Sequence, residues 1–319
     1  MDAVANLLIP QIPSFAFSII FTVLLIFFII NFPYQKLANV LKWLCASLLL
    51  YIIVPFLVHA DWNGVMKSTF IPNIQFNKTF FEILVAILGT TISPYLFFWQ
   101  ATMEAEDILH SKKNIIINKR ILNNMKMGID FGMLFSNLVM FFIILTTGAV
   151  LYKAGIRQID TAGQAAKALE PLTGKLTYLL LTGKLTYLLF AVGVIGTGFL
   201  AIPVLAGSLS YILAETFNWK EGLDKKFHEA KGFYITLIIS LIIGLSLDFI
   251  GISPIQALIY TAVLYGLTAP VMIGIIMHIC NNKKVMGKFT NKRWSNVLWS
   301  ITLILMTISA ITLIYFLFK

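Results

Sequence analysis

The sequence predicts an all-α polytopic membrane protein, on three observations. Apolar residues make up 59% of the 319 residues and charged residues only 12%. Mean hydropathy is +0.87, more apolar side chain than a water-soluble globule can bury. The apolar runs have the length of spanning helices, roughly 20 residues, rather than that of barrel strands. With no water in the hydrocarbon to satisfy backbone N–H and C=O groups, runs of that length are expected to be helices.

Eight spans are expected, at 14–32, 39–59, 79–103, 129–152, 185–216, 232–250, 255–280 and 296–318. The longest loops, 104–128 and 153–184, are too short for a soluble domain, so residues 1–319 read as a single transmembrane domain. Residues 1–13 contain no Lys or Arg. The charged n-region of a cleavable signal is missing, and the first span is expected to insert as it stands. The second span holds Cys45; Cys280 lies at the end of the seventh. Neither a disulfide framework nor a metal-ligand spacing follows from two such cysteines.

The fourth span opens on Asp130 and carries Asn137 deeper, a candidate for a buried polar contact. In the following loop, Asp160 to Leu172 is rich in Ala and predicts a short amphipathic helix capped by Asp160 or Thr161. The nonapeptide LTGKLTYLL then occurs twice, at 172–180 and 181–189. As continuous helix the extra copy would add about 13.5 Å, so the first copy is expected to stay a loop. The fifth span, with Gly193, Gly196, Gly198, Ala201, Ala206 and Gly207, reads as a close-packing helix. Asp248 ends the sixth span, where helix-terminus placement accounts for it.

The net charge of +10 is spread along the chain rather than gathered into a nucleic-acid-binding stripe. Its sidedness is informative. With the N-terminus outside, sixteen of the 24 Lys and Arg residues fall on the cytoplasmic side, and the positive-inside rule puts both termini outside.

The third span carries the chemistry. Thr79 and Glu82 fit a capping box at its start. Gly89, Thr90, Thr91, Ser93 and Pro94 then cluster near the bilayer midplane. Pro94 has no N–H for the carbonyl of Thr90, and an unpaired carbonyl at that depth costs several kcal/mol. Two readings are open: a proline kink relieved by Thr and Ser hydroxyls, or a broken helix with the Thr90 carbonyl, the Ser93 hydroxyl and Tyr95 lining a site. Glu104, Glu106 and Asp107, at the inner end, fit a solvated interface facing Lys112 and Lys113. His59, His110, His228 and His278 have no ligand spacing.

Four segments, TISPYLFFWQATMEAED (91–107), FSNLVMFFIILTTG (135–148), GVIGTGFLAIPVLAGS (193–208) and VMGKFTNKRW (285–294), are similar to the bacterial Nramp-related divalent metal transporters, in that order. The resemblance implies a LeuT-type inverted-repeat fold, present here as about eight helices that correspond to family spans four to eleven. It also implies transport of a divalent metal ion in a plasma membrane, expected to be a bacterial inner membrane. Carried over, the broken-helix Met-Pro-His of the family becomes Ser93-Pro94-Tyr95, and the carbonyl ligand one turn earlier becomes that of Thr90. The polar residue of the family's tenth span falls at Thr268, and a second histidine becomes Gln100. Gln100 and Asn137 are thus expected on a polar pathway, and Gly89 and Pro94 at the helix break.

Ser93 in place of a thioether leaves an all-oxygen set suited to Mg²⁺ or Mn²⁺ over softer metals. With both histidines replaced, the titratable groups expected of proton coupling are gone. The Asp-Pro-Gly motif of the family's first span has no counterpart. An N-terminally truncated chain, inactive alone or needing a separately encoded N-terminal part, is therefore the alternative expectation. A membrane-embedded enzyme would need a second acidic or nucleophilic motif, and no phosphate loop or Ser/His/Asp set occurs. No enzymatic activity and no bound cofactor are expected.

Overall fold

A computed structural model describes residues 1–32, 39, 43, 46–71, 73–110, 119–156, 159, 161–169, 184–223, 225–247 and 253–318, with helix throughout and no strand among them. Six helical stretches are long and apolar enough to cross a membrane: Ser14–Asn31, Lys78–Glu106, Ile121–Tyr152, Leu188–Thr216, Ile255–Asn281 and Arg293–Phe318. Each corresponds to an expected span. The expected span at 232–250 is helical over Lys231–Leu247, and Asp248 lies outside the described residues. Of the span at 39–59, Cys45 is likewise outside; the described part is a 3₁₀ turn at Ala46–Leu49 followed by α-helix Leu50–Leu57.

In chain order the helices are α1 (Asp2–Leu8), α2 (Ser14–Asn31), α3 (Leu50–Leu57), α4 (Trp62–Phe70), α5 (Lys78–Thr91), α6 (Pro94–His110), α7 (Lys119–Thr147), α8 (Ala162–Ala166), α9 (Lys184–Thr216), α10 (Lys231–Leu247), α11 (Pro254–Asn281), α12 (Lys283–Met286) and α13 (Arg293–Phe318). They divide into two compact units. The first comprises residues Met1–Ile71 and Ala101–Gly251, the second Pro72–Gln100 and Ile252–Lys319.

The second unit is built on α5, α11 and α13, which pack against one another. Phe81, Val85 and Leu313 form one buried cluster, with the Phe316 ring stacked 5.8 Å from that of Phe81. Ala269, Ile273 and Met306 form another, against Leu88 and Ile92. Ser253 caps α11, accepting the Gln256 N–H at 3.2 Å, and Pro254 takes the first helical position. The cap of α5 differs from the expected Thr79–Glu82 box. The cap lies two residues earlier, because Asn77 accepts the Phe80 N–H at 2.8 Å and outcompetes a threonine as cap.

In the first unit, Val4, Tyr51, Val54, Leu151, Leu169 and Phe190 belong to one buried cluster. Pro55 lies inside α3 and cannot donate to the carbonyl of Tyr51. Thr146, fully buried, supplies the missing hydrogen bond from α7: its hydroxyl donates to the Tyr51 carbonyl at 2.9 Å. The helix expected at 160–172 is α8 and a 3₁₀ turn ending at Leu169; Thr161 caps it with Gln164 in a reciprocal box, and Asp160 lies outside the described residues. The first LTGKLTYLL copy is also outside them, whereas the second is helical from Lys184.

Candidate functional site: the break in the third span

Residues 78–110 are two helices, not one. Helix α5 ends at Thr91, Ile92 and Ser93 leave the helical path, and α6 starts at Pro94. Proline suits the first position of α6 because its absent N–H would have had no partner there. The Thr90 carbonyl that Pro94 cannot serve is met locally. The Ser93 hydroxyl bridges the Thr90 carbonyl at 2.9 Å and the Gly89 carbonyl at 3.1 Å. Ser93 is 4% exposed, so this bond is made out of water and is correspondingly strong. The helix is broken, and of the Thr90, Thr91 and Ser93 hydroxyls that of Ser93 alone relieves the break.

The Thr90 hydroxyl is turned back along its helix to the Ile87 carbonyl at 3.0 Å, and the Thr91 hydroxyl does the same at 2.8 Å. What the break presents is thus backbone oxygen backed by one serine hydroxyl. Tyr95, half-buried in the first turn of α6, follows directly and hydrogen-bonds with the Ser93 side chain. Its ring lies 5.5 Å from that of Tyr265 at a 45° tilt. Tyr265 belongs to α11, and the exposed Thr268 hydroxyl one turn on donates to its carbonyl at 3.2 Å and to that of Leu264 at 2.9 Å. The Thr268 hydroxyl is thus turned onto its own helix, three residues beyond the tyrosine that meets Tyr95.

Gly89 lends its carbonyl to the break through Ser93 and also lies, in the last turn of α5, where the backbones of α5 and α11 cross: a Cβ there would overlap the Gly266 amide and the Ala262 carbonyl. Gln100 is exposed on α6. Asn137, expected in a buried polar contact, instead donates to the carbonyl of Met133 in its own helix at 2.8 Å and is only half-buried. A short amide side chain on a helix reaches the carbonyl four residues back more readily than a neighbouring helix.

Sequence reasoning missed Tyr265 and Tyr211. Nothing local marks Tyr265; it matters only because α11 crosses α5. Tyr211, 1% exposed, donates its O–H to Glu106 Oε2 at 3.1 Å and accepts the Leu223 N–H at 3.1 Å. Glu106 is therefore held by a tyrosine rather than lying in a simple solvated interface; Lys112 and Lys113 lie outside the described residues. Among the described residues no three His, Cys, Asp or Glu side chains come together to hold a metal ion, so the donors at the break are neutral oxygens.

Long apolar helices, with the third span broken at a proline, define this as an all-α integral membrane protein. The family model for natural resistance-associated macrophage protein-like (Nramp) proteins matches residues 2–316, and the chain belongs to that family. Similar curated proteins include three named divalent metal cation transporter MntH. That of Caldanaerobacter subterraneus subsp. tengcongensis is 26% identical over 247 residues, covering 76% of this chain and 52% of the relative. That of Clostridium acetobutylicum is 24% identical over 271 residues, covering 84% and 57%. That of Bacillus subtilis is 22% identical over 284 residues, covering 87% and 60%. The chain spans little more than half the length of the first two.

Proposed function

We propose that this chain, as one membrane domain, carries divalent metal cations across a membrane by alternating access, with the break between α5 and α6 as its part of the cation path. The observation that carries the reading is the conjunction of an Nramp-family match over 2–316 with a helix break whose local polar atoms are backbone and serine oxygens, not sulfur or side-chain nitrogen. The Thr90 carbonyl, Ser93, Tyr95 and Thr268 are the proposed ligands, with Gln100 and Asn137 on the path beyond. Hard oxygen donors favour Mg²⁺ or Mn²⁺ over softer metals. Ser93 spends its proton on two carbonyls, so its oxygen can meet a cation only as an acceptor, in exchange for its hydrogen bond with Tyr95.

The charge asymmetry of the loops supports an inner-membrane placement with both termini outside. Neutral oxygens alone compensate a divalent charge poorly in hydrocarbon. A carboxylate contributed from outside these 319 residues, such as a separately encoded Asp-bearing segment, completes the site in this reading.

The test is uptake of Mg²⁺, Mn²⁺ and Fe²⁺ into vesicles holding wild type or Ser93→Met, with and without an added Asp-Pro-Gly-bearing family segment. Ser93→Met is expected to shift preference toward Fe²⁺ and away from Mg²⁺; unchanged selectivity refutes the ligand assignment. Uptake by the 319 residues alone, undiminished by leaving the segment out, refutes the need for an external carboxylate.

A further inference from the structure

Helix α4 carries an apolar face that the described residues leave largely uncovered. None of its nine residues is buried. At 3.6 residues per turn, Trp62, Val65, Met66, Thr69 and Phe70 fall within an arc of about 140°, and Asn63, Gly64, Lys67 and Ser68 fill the opposite side. Exposure on the apolar side is 37% at Trp62, 54% at Met66 and 75% at Phe70, and the chain continues into Ile71 at 70%. Thr69 does not interrupt the face, because its hydroxyl donates to the Val65 carbonyl at 2.8 Å. The helix is built to stay folded there: Asp61 caps it, accepting the Gly64 N–H at 3.1 Å.

The apolar face is continuous with the surface of a spanning helix. The Trp62 ring lies 4.8 Å from that of Phe56, and the Phe56 ring in turn lies 6.3 Å from Phe142, stacked on it. Phe142 belongs to the membrane-spanning stretch Ile121–Tyr152. An aromatic ladder thus runs from span to α4 and ends on a tryptophan, the residue type that settles at the headgroup level.

We propose that α4 lies along the membrane–water interface, its Trp62–Met66–Phe70 face seated in the lipid at the headgroup–acyl boundary and Asn63 and Lys67 turned to water. Its nine residues are too few to span, and its amphipathicity is that of a helix lying in the interface plane. The occupant of the face is therefore lipid, and α4 fixes the depth at which the neighbouring span sits.

The experiment places a nitroxide at Asn63→Cys, Met66→Cys, Lys67→Cys or Phe70→Cys, each in a Cys45→Ala/Cys280→Ala background, in phosphatidylethanolamine–phosphatidylglycerol vesicles. All four positions are exposed, so labelling disturbs no packing. The ratio of oxygen to nickel-chelate collision rates is expected to be several-fold higher at 66 and 70 than at 63 and 67. Equal, nickel-accessible values at all four positions would put α4 in water and overturn the proposal. So would positions 66 and 70 shielded from both reagents, which would mean that a protein surface, from a second copy or another segment, covers the face.

Discussion

Gly89 and Gly266 meet backbone to backbone, each occupying the space that a side chain on the other's helix would need. A Cβ on Gly266 would overlap the Val85 carbonyl, and one on Gly89 the Gly266 amide, so neither collision can be relieved by turning a flexible side chain. Close approach of small residues is how membrane helices gain packing energy without a hydrophobic driving force. Gly89→Ala or Gly266→Ala is expected to lower stability by about 1–3 kcal/mol through overpacking, read as the thermal midpoint in detergent. Gly274→Ala, on the same helix as Gly266 but with nothing within 4 Å of its Cβ, is the control and should hold the midpoint or raise it slightly.

The Ser93 hydroxyl and the missing amide of Pro94 are two halves of one device. Removing the hydroxyl by Ser93→Ala leaves the part-buried Thr90 carbonyl without its donor, an expected loss of about 1 kcal/mol. In Pro94→Ala an amide N–H becomes available for that carbonyl, so Ser93→Ala should cost much less in that background. A double-mutant cycle on thermal or detergent unfolding measures the difference; strict additivity would show that Pro94 and Ser93 act independently.

The break itself was legible in sequence because its cause is local: a proline, the carbonyl four residues before it and a hydroxyl next to it all lie within five positions. The same problem at Pro55 has its answer in Thr146, 95 residues away from Tyr51, and no pattern around Pro55 points there. Span positions were readable for a similar reason, since apolar length is a property of contiguous residues. Partners across helices were not. The packing role of Gly89 shows only when α11 is laid against it, Tyr265 becomes relevant only through that crossing, and Asn137 turns to its own helix. The cap of α5 was misplaced by a smaller margin, because Asn77 and Thr79 are both competent caps and the wider fold chooses between them.

Tyr211 ties the C-terminal half of α6 to the loop between α9 and α10. Its phenol holds Glu106 with one bond and the Leu223 amide with another, while the Tyr234 hydroxyl donates to the Lys225 carbonyl at 2.7 Å. Tyr211→Phe keeps the ring and deletes both phenol bonds, leaving the buried Leu223 N–H unpaired. The loop is then expected to open more often, with trypsin cleavage at Lys220, Lys225 and Lys226 accelerated about tenfold for a loss of about 1.4 kcal/mol. Glu106→Gln retains an acceptor and should cleave near the wild-type rate, whereas Glu106→Ala should approach Tyr211→Phe.

Glu221, in that same loop, gives the stability of the protein a pH dependence of predictable sign. One carboxyl oxygen, Oε2, is buried with no hydrogen-bond partner among the described residues. Burial first, then the nearby carboxylates of Glu215 and Glu106, push its pKa above the usual 4.5, with the Lys225 ammonium opposing them. The folded chain therefore holds this proton more tightly than the unfolded chain. The stabilisation that follows is complete below about pH 4.5 and is lost as pH rises through the raised value. Glu221→Gln mimics the protonated form at every pH. Its thermal midpoint should match the wild type near pH 4 and exceed it near pH 8, with the gap opening between the two. A gap of constant size across that range would mean that the Glu221→Gln variant differs in packing alone and that the Glu221 carboxylate carries no penalty in the fold.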